Sequence, residues 1–301
     1  MWYHCHGKCR FGAEENYTKK KREKAMFSEG HLIWIGISAT LIAAGLFYCL
    51  KFRPPLKKVI AVCFVVGLIS EIIKVLSTIE IVPMVEPIIA EQNGAAILQW
   101  IPSGEYTPYL AMEHLPLELC SLYLVFMLLA LVLKDGKVKN WLFALMFASG
   151  TMGGLLGVVG ASIAGDFETT AEFFAAPRAW QFFIFHSMIV VLGIYIAVCN
   201  ESVLKPSDWK KALLGMLLLD IPTFYLNSVF SSEVYSGGKV VGVTHRINFF
   251  SSYVNPLGIV LTEKWQWIVY IIARAAMVVL TVRILYLIFV RKKKEAFPDG
   301  K

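Results

Sequence analysis

Charge is what this sequence has least of. Only 17% of its 301 residues are charged and 57% are hydrophobic, whereas a soluble domain carries about one quarter charged residues. That shortage excludes an ordinary soluble globular domain. A disulfide framework is missing as well: of six cysteines, Cys49, Cys63, Cys120 and Cys199 lie in or beside apolar stretches, and only Cys5 and Cys9 lie in a polar one. Met1–Ser28 has no apolar core of the kind a signal peptide needs, so none is expected there. No internal repeat is visible, which removes support for an inverted-repeat transporter. Nor is there a strand-to-helix glycine turn that could cradle a phosphate. Gly150, Gly153, Gly154, Gly157 and Gly160 recur at spacings of three and four inside an apolar run, which predicts a close helix–helix contact.

What is present is long apolar segments. Several reach the ~20 residues needed to cross a ~30 Å hydrocarbon core as a helix. The pattern predicts an all-α polytopic membrane protein, a seven-helix bundle with two longer outer-side loops. The spans are Gly30–Leu50, Val59–Ile79, Leu115–Leu133, Trp141–Ala164, Ala179–Cys199, Trp209–Phe230 and Trp265–Val290. Residues 1–26 read as a basic, disordered extension, 27–290 as the transmembrane domain and 291–301 as a basic cytoplasmic tail. In the extension, His4, Cys5, His6 and Cys9 match no four-ligand metal spacing, so no metal is expected. The long connections are Glu80–His114, which has four prolines and no Lys or Arg, and Ser231–Lys264. Long connections of this kind are usually lids or binding segments.

The net charge of +7 does not point to nucleic acid, because the basic residues cluster beside apolar runs. Lys51, Arg53, Lys57 and Lys58 follow span one, Lys134, Lys137 and Lys139 follow span three, and Lys205, Lys210 and Lys211 follow span five. The excess of Lys and Arg in cytoplasmic loops then predicts a cytoplasmic C-terminus and an outer N-terminus, although the basic N-terminal run argues the other way.

Polar groups inside a bilayer are costly, and each is a candidate site. Glu71 and Lys74, three apart, are expected to pair with each other, and Arg283 to snorkel to the inner interface. Asp220 and Arg274 either form an ion pair or line a cavity. Pro222 is expected to kink span six, with Asn227 satisfying the freed backbone.

Leu115-Pro116-Leu117-Glu118-Leu119-Cys120-Ser121 predicts a helix starting at Pro116, with Cys120 little more than one turn inside. A thiol near a helix N-terminus is biased toward thiolate. Cys120 and His186 lie at matched depths of ~8 and ~10 Å from the outer ends of spans three and five. His31, His114, Glu118 and Gln181 belong to the same outer third. A cysteine nucleophile needs a nearby base, and His is the usual provider. Glu118 is two residues from Cys120 and is expected to point away from it on a helix.

With those residues in view, Phe27–Val290 resembles the YwaF-like family of integral membrane proteins. The resemblance rests on Phe27-Ser28-Glu29-Gly30-His31, Leu115–Ser121, the glycine-rich span four, Gln181-Phe182-Phe183-Ile184-Phe185-His186-Ser187, and Asn248-Phe249-Phe250 with Asn255-Pro256. Related animal proteins are cysteine-dependent phospholipid acyltransferases. The resemblance therefore implies a lipid acyltransferase or transacylase, with Cys120 and His186 catalytic and Gln181, His31 and Asn248 substrate-binding. It implies no cofactor, membrane lipids as partners, and a multi-pass location in the cell membrane. The family pattern has His where this chain has Glu118, which leaves His186 as the candidate base. The competing expectation is a non-enzymatic carrier of small solutes or lipids, and a third is a plain membrane scaffold.

Overall fold

The computed structural model describes residues 27–92, 95–111, 114, 118–160, 163, 167, 169–236, 239–245 and 261–290. Seven longer helices and one short one make up the helical part: α1 (Glu29–Phe52), α2 (Leu56–Thr78), α3 (Leu119–Val132), α4 (Lys137–Val159), α5 (Thr170–Ala175), α6 (Pro177–Val198), α7 (Trp209–Val229) and α8 (Lys264–Leu285). A π-helical turn, Tyr286–Val290, continues α8. The protein is an all-α polytopic membrane protein in its bundle. Six of the helices are long and apolar enough to cross a membrane.

The seventh span, expected at Leu115–Leu133, is not confirmed: the described helix there is Leu119–Val132, 14 residues. At 1.5 Å per residue that is ~21 Å, short of the ~30 Å hydrocarbon thickness. Leu115–Leu117, including the expected helix start at Pro116, lie outside the described residues. Even so, α3 leads from one end of the bundle to the other. Ser121 near its start meets Lys74 of α2, and Asp135 just beyond its end lies within electrostatic range of Lys57.

The two long connections are not plain loops. β1 (Glu80–Gln92) and β2 (Ala95–Tyr109) form an antiparallel hairpin, with Glu80 opposite Tyr109 and Gln92 opposite Ala95. The register shifts between Pro83 and Val85. β3 (Ser231–Ser236) and β4 (Lys239–His245) form a second hairpin. In the sequence, Asn93-Gly94 stands between β1 and β2 and Gly237-Gly238 between β3 and β4, residue pairs of the kind favoured in two-residue hairpin connections. A two-stranded ribbon also tolerates Pro83, Pro87, Pro102 and Pro108, because each strand has a free edge where no N–H is required.

α6 is the central helix, packed against α1, α2 and α4. Its contact with α4 uses the small residues expected to permit close approach. A Cβ added at Gly154 would lie 2.6 Å from Val190 Cγ2 and 2.9 Å from the His186 carbonyl oxygen. α5 caps one end with Phe173 and Phe174, which surround Trp34 together with Trp180 and Phe183.

Side-chain contacts separate the two ends of the bundle. At one end, the Leu56 N–H donates to Glu201 (3.1 Å) and the Tyr195 hydroxyl to the Pro54 carbonyl. Arg283 lies over the Trp209 ring, 5.0 Å from its centroid. The connections α1–α2, α3–α4 and α6–α7, with their lysines, therefore share this basic end. At the opposite end lie the starts of α1, α3 and α6 and the finish of α4, where the His31 Nε2–H donates to the Val158 carbonyl (3.0 Å).

Candidate functional site

The site lies at this second end, and the first turn of α3 places its thiol. Helix α3 starts at Leu119 with Glu118 as the N-cap residue in extended backbone conformation. Cys120 is thus in the first turn rather than beyond it, where the helix dipole acts most strongly. The helical rotation expected to turn Glu118 away does not apply, since Glu118 precedes the helix. It acts electrostatically on the thiol, as do Lys74 and Arg178. Cys120 is half-buried, while Cys49, Cys63 and Cys199 are buried.

Two linked polar groups flank the thiol. The first joins α2 to α3. Lys74 and Glu71 form the expected ion pair, but Lys74 Nζ also donates to Ser121 Oγ (3.1 Å), and the Ser121 hydroxyl approaches Glu71 Oε2 (3.4 Å). The second joins α2 to α6: Arg178 NH1 donates to Gln181 Oε1, and Gln181 Nε2 donates to Ser70 Oγ (2.8 Å). Ser70 and Lys74 are four apart, so α2 presents both groups from one face.

His186 is held from two sides. Its Nδ1 lies 2.7 Å from the Phe182 carbonyl. A carbonyl only accepts, so Nδ1 carries the proton and Nε2 keeps its lone pair. The ring lies against Gly157 of α4, where an added Cβ would sit 2.6 Å from Nε2. One turn back along α4, Gly153 faces Leu119 Cδ2, which would lie 3.3 Å from its Cβ. Leu119, the neighbour of Cys120, and His186 thus rest on the same helix one turn apart. No hydrogen bond among the described residues joins the Cys120 sulfur to the imidazole, but Arg178 lies within electrostatic range of both.

The other predicted site residues fall as follows. Gln181 is in the site, with its amide engaged at both ends. His31 is fully buried, accepts the Phe27 N–H at Nδ1 (3.1 Å) and donates from Nε2 to Val158, so both ring nitrogens hold protein groups. Asn248 lies outside the described residues, as do His4, Cys5, His6 and Cys9. Asp220 and Arg274 pair with each other between α7 and α8. Sequence reasoning did not single out Ser70, Ser121 or Arg178. A serine beside an intramembrane Glu–Lys pair, and another beside the cysteine, were the available signals.

No curated protein and no solved structure matches this chain. The TMEM164 family model does, over residues 26–286. That range holds every described helix up to the last turn of the bundle, along with Cys120, Gln181 and His186, and the chain belongs to the TMEM164 family.

Proposed function

We propose that this integral membrane protein is a lipid acyltransferase or transacylase of the cell membrane that works through an acyl thioester on Cys120. The observation that carries this reading is the shared setting of Cys120 and His186. Leu119, the neighbour of Cys120, and the His186 imidazole rest against Gly153 and Gly157, one turn apart on α4, with Nε2 of His186 free of its proton and Arg178 within electrostatic range of both groups. In the first half-reaction, the Cys120 thiol gives its proton to Nε2, through a bridging water or the substrate itself. The sulfur then attacks a lipid ester carbonyl, the carbon–oxygen bond to the glycerol breaks, and the departing oxygen takes the proton from His186. In the second, a lysolipid hydroxyl or water gives its proton to His186 and attacks the thioester; the carbon–sulfur bond breaks and the departing sulfur takes that proton from His186, which restores the Cys120 thiol.

The polar end of a helix bundle is also where lipid esters lie, beneath the headgroups. A carrier would need charges exposed along a path through mid-depth, and the pairing of Asp220 with Arg274 favours the enzyme over that alternative. The test is labelling with an activated lipid acyl donor, followed by mass spectrometry of the intact protein. An acyl adduct should appear on Cys120 and be absent from Cys120→Ala. Equal labelling of Cys49, Cys63 or Cys199 would reject the reading.

A further inference from the structure

The basic end of the bundle carries an arrangement of its own where α7 begins. Trp209, the first residue of α7, is half-buried, and two exposed cations meet its ring. The Arg283 guanidinium, from the last turn of α8, lies 5.0 Å from the ring centroid. Lys210 Nζ lies 5.9 Å from the same centroid. A cation over an aromatic face is attracted by the ring quadrupole, so one side chain gathers charges from two helices. No acidic side chain among the described residues pairs with either cation. Asp208, the neighbour of Trp209, is buried and already engaged: one oxygen pairs with Lys211 Nζ (2.7 Å) and the other accepts the Lys205 N–H (2.8 Å). The π-helical turn Tyr286–Val290 packs against the Pro206–Asp208 segment, and the sequence continues from Val290 into Arg291-Lys292-Lys293-Lys294. Positive charge therefore accumulates where α7 and α8 meet.

The surroundings decide what kind of anion fits. Tryptophan beside an arginine is the usual chemistry of the membrane–water boundary. A guanidinium stacked on a ring presents its N–H groups in one plane, which suits phosphate oxygens, and an ammonium beside it adds a second positive charge. A zwitterionic headgroup brings a cation of its own, so two protein cations favour a headgroup with net negative charge. Farther from this end both helices are apolar and exposed, with Leu214, Leu217 and Leu218 on α7 and Leu280 and Ile284 on α8. A free phosphate ion leaves that surface untouched, whereas the acyl chains of a lipid lie along it. α8 is also the least enclosed of the six spanning helices, and a headgroup that engages Arg283 and Lys210 together ties it to α7.

We infer that Trp209, Lys210 and Arg283 form a binding site for the headgroup of an anionic phospholipid. The site lies at the opposite end of the bundle from Cys120 and His186 and does not depend on the acyl-thioester reading. Near an anionic surface, each Lys or Arg contributes about fivefold in affinity.

The test titrates the full chain in maltoside detergent with phosphatidylglycerol or phosphatidylcholine of identical acyl chains, read by native mass spectrometry. The wild type should bind the first phosphatidylglycerol more tightly than the first phosphatidylcholine. Arg283→Gln and Lys210→Gln should each weaken the phosphatidylglycerol event about fivefold and leave phosphatidylcholine unchanged, with Arg283→Lys between Arg283→Gln and the wild type. Lys58→Gln deletes an exposed charge of the same end that does not lie over the Trp209 ring, and it should change nothing. Thermal unfolding gives a second measurement: phosphatidylglycerol should raise the unfolding temperature of the wild type more than that of Arg283→Gln. An equal loss of binding in Lys58→Gln would reduce the site to a diffuse basic field and overturn the inference. Unchanged binding in Arg283→Gln overturns it as well. Release of the bound phosphatidylglycerol by inorganic phosphate would make a free anion the occupant and also overturn it.

Discussion

Helices α6 and α8 are almost equally apolar, yet the bundle treats them in opposite ways. Some 78% of the apolar window of α6 is buried inside the protein, against 6% for α8. α6 lies against three neighbours, and its helix carries Gln181 and His186. α8 touches the rest mainly through its last turns, where Val282, Leu285, Tyr286 and Val290 are buried, and through the Arg274–Asp220 pair. In lipid, hydrophobicity does not drive one helix against another. Close packing by small residues and interhelical hydrogen bonds do. Gly154 and Gly157 of α4 face α6, and α8 has no glycine at all. What separates a site-bearing helix from a peripheral one here is the neighbour's small residues.

The largest effect expected from this contrast is on catalysis. His186→Ala should slow Cys120 acylation by about 10²–10⁴, the usual general-base contribution, with no loss of folded protein in detergent. A smaller rate loss would move the catalytic role away from α6. Next comes a matched pair of truncations read by thermal unfolding. Ile189→Ala, at the α4–α6 contact, should destabilise by about 2–5 kcal/mol. Ile272→Ala, on the open face of α8, should stay within about 0.5 kcal/mol. Equal effects would mean that α8 is covered by protein in the working molecule. Gly157→Ala should cost about 1–3 kcal/mol through overpacking and also slow acylation, because the new methyl occupies the place of the imidazole. A stable Gly157→Ala with full activity would show that His186 has room to move. The last effect is a pairwise coupling at the periphery. A double-mutant cycle on Asp220→Asn and Arg274→Gln should return a coupling of about 0.6–1.7 kcal/mol, the range for interhelical polar contacts in membranes.

Much of the helical layout was legible because hydropathy over ~20 residues is a strong signal. The spans of α1, α2, α6 and α7 fall within a few residues of those expected. The small-residue face of α4 was legible too, since its period is local. The span expected at Leu115–Leu133 is described as a helix over Leu119–Val132. The hairpins went unread although Asn-Gly and Gly-Gly pairs stand in the sequence between their strands. Prolines in the first connection and the lack of strict alternation concealed the strands. At the candidate site, Cys120 and His186 were singled out from the helix start, their matched depth and the chemistry of a thiol with a base. Ser70, Ser121 and Arg178 were not, because their roles depend on which helices meet, and a period along one helix carries no information about its partner.

The hydrogen bond from His31 to the Val158 carbonyl spans 127 residues of sequence. It also has a place in time. A chain inserted from its N-terminus presents the His31 imidazole long before the last turn of α4 has been made. Until then only Nδ1 has a partner within the segment, the Phe27 N–H, and the Nε2–H near the interface has water or headgroups to satisfy it. Once α4 is in place, the Val158 carbonyl in its last turn, which no intrahelical N–H can reach, receives that ring. That contact at the site end therefore forms when a later segment closes on the earliest one, and a His31 variant should betray itself in the yield of newly made protein before it does so in turnover.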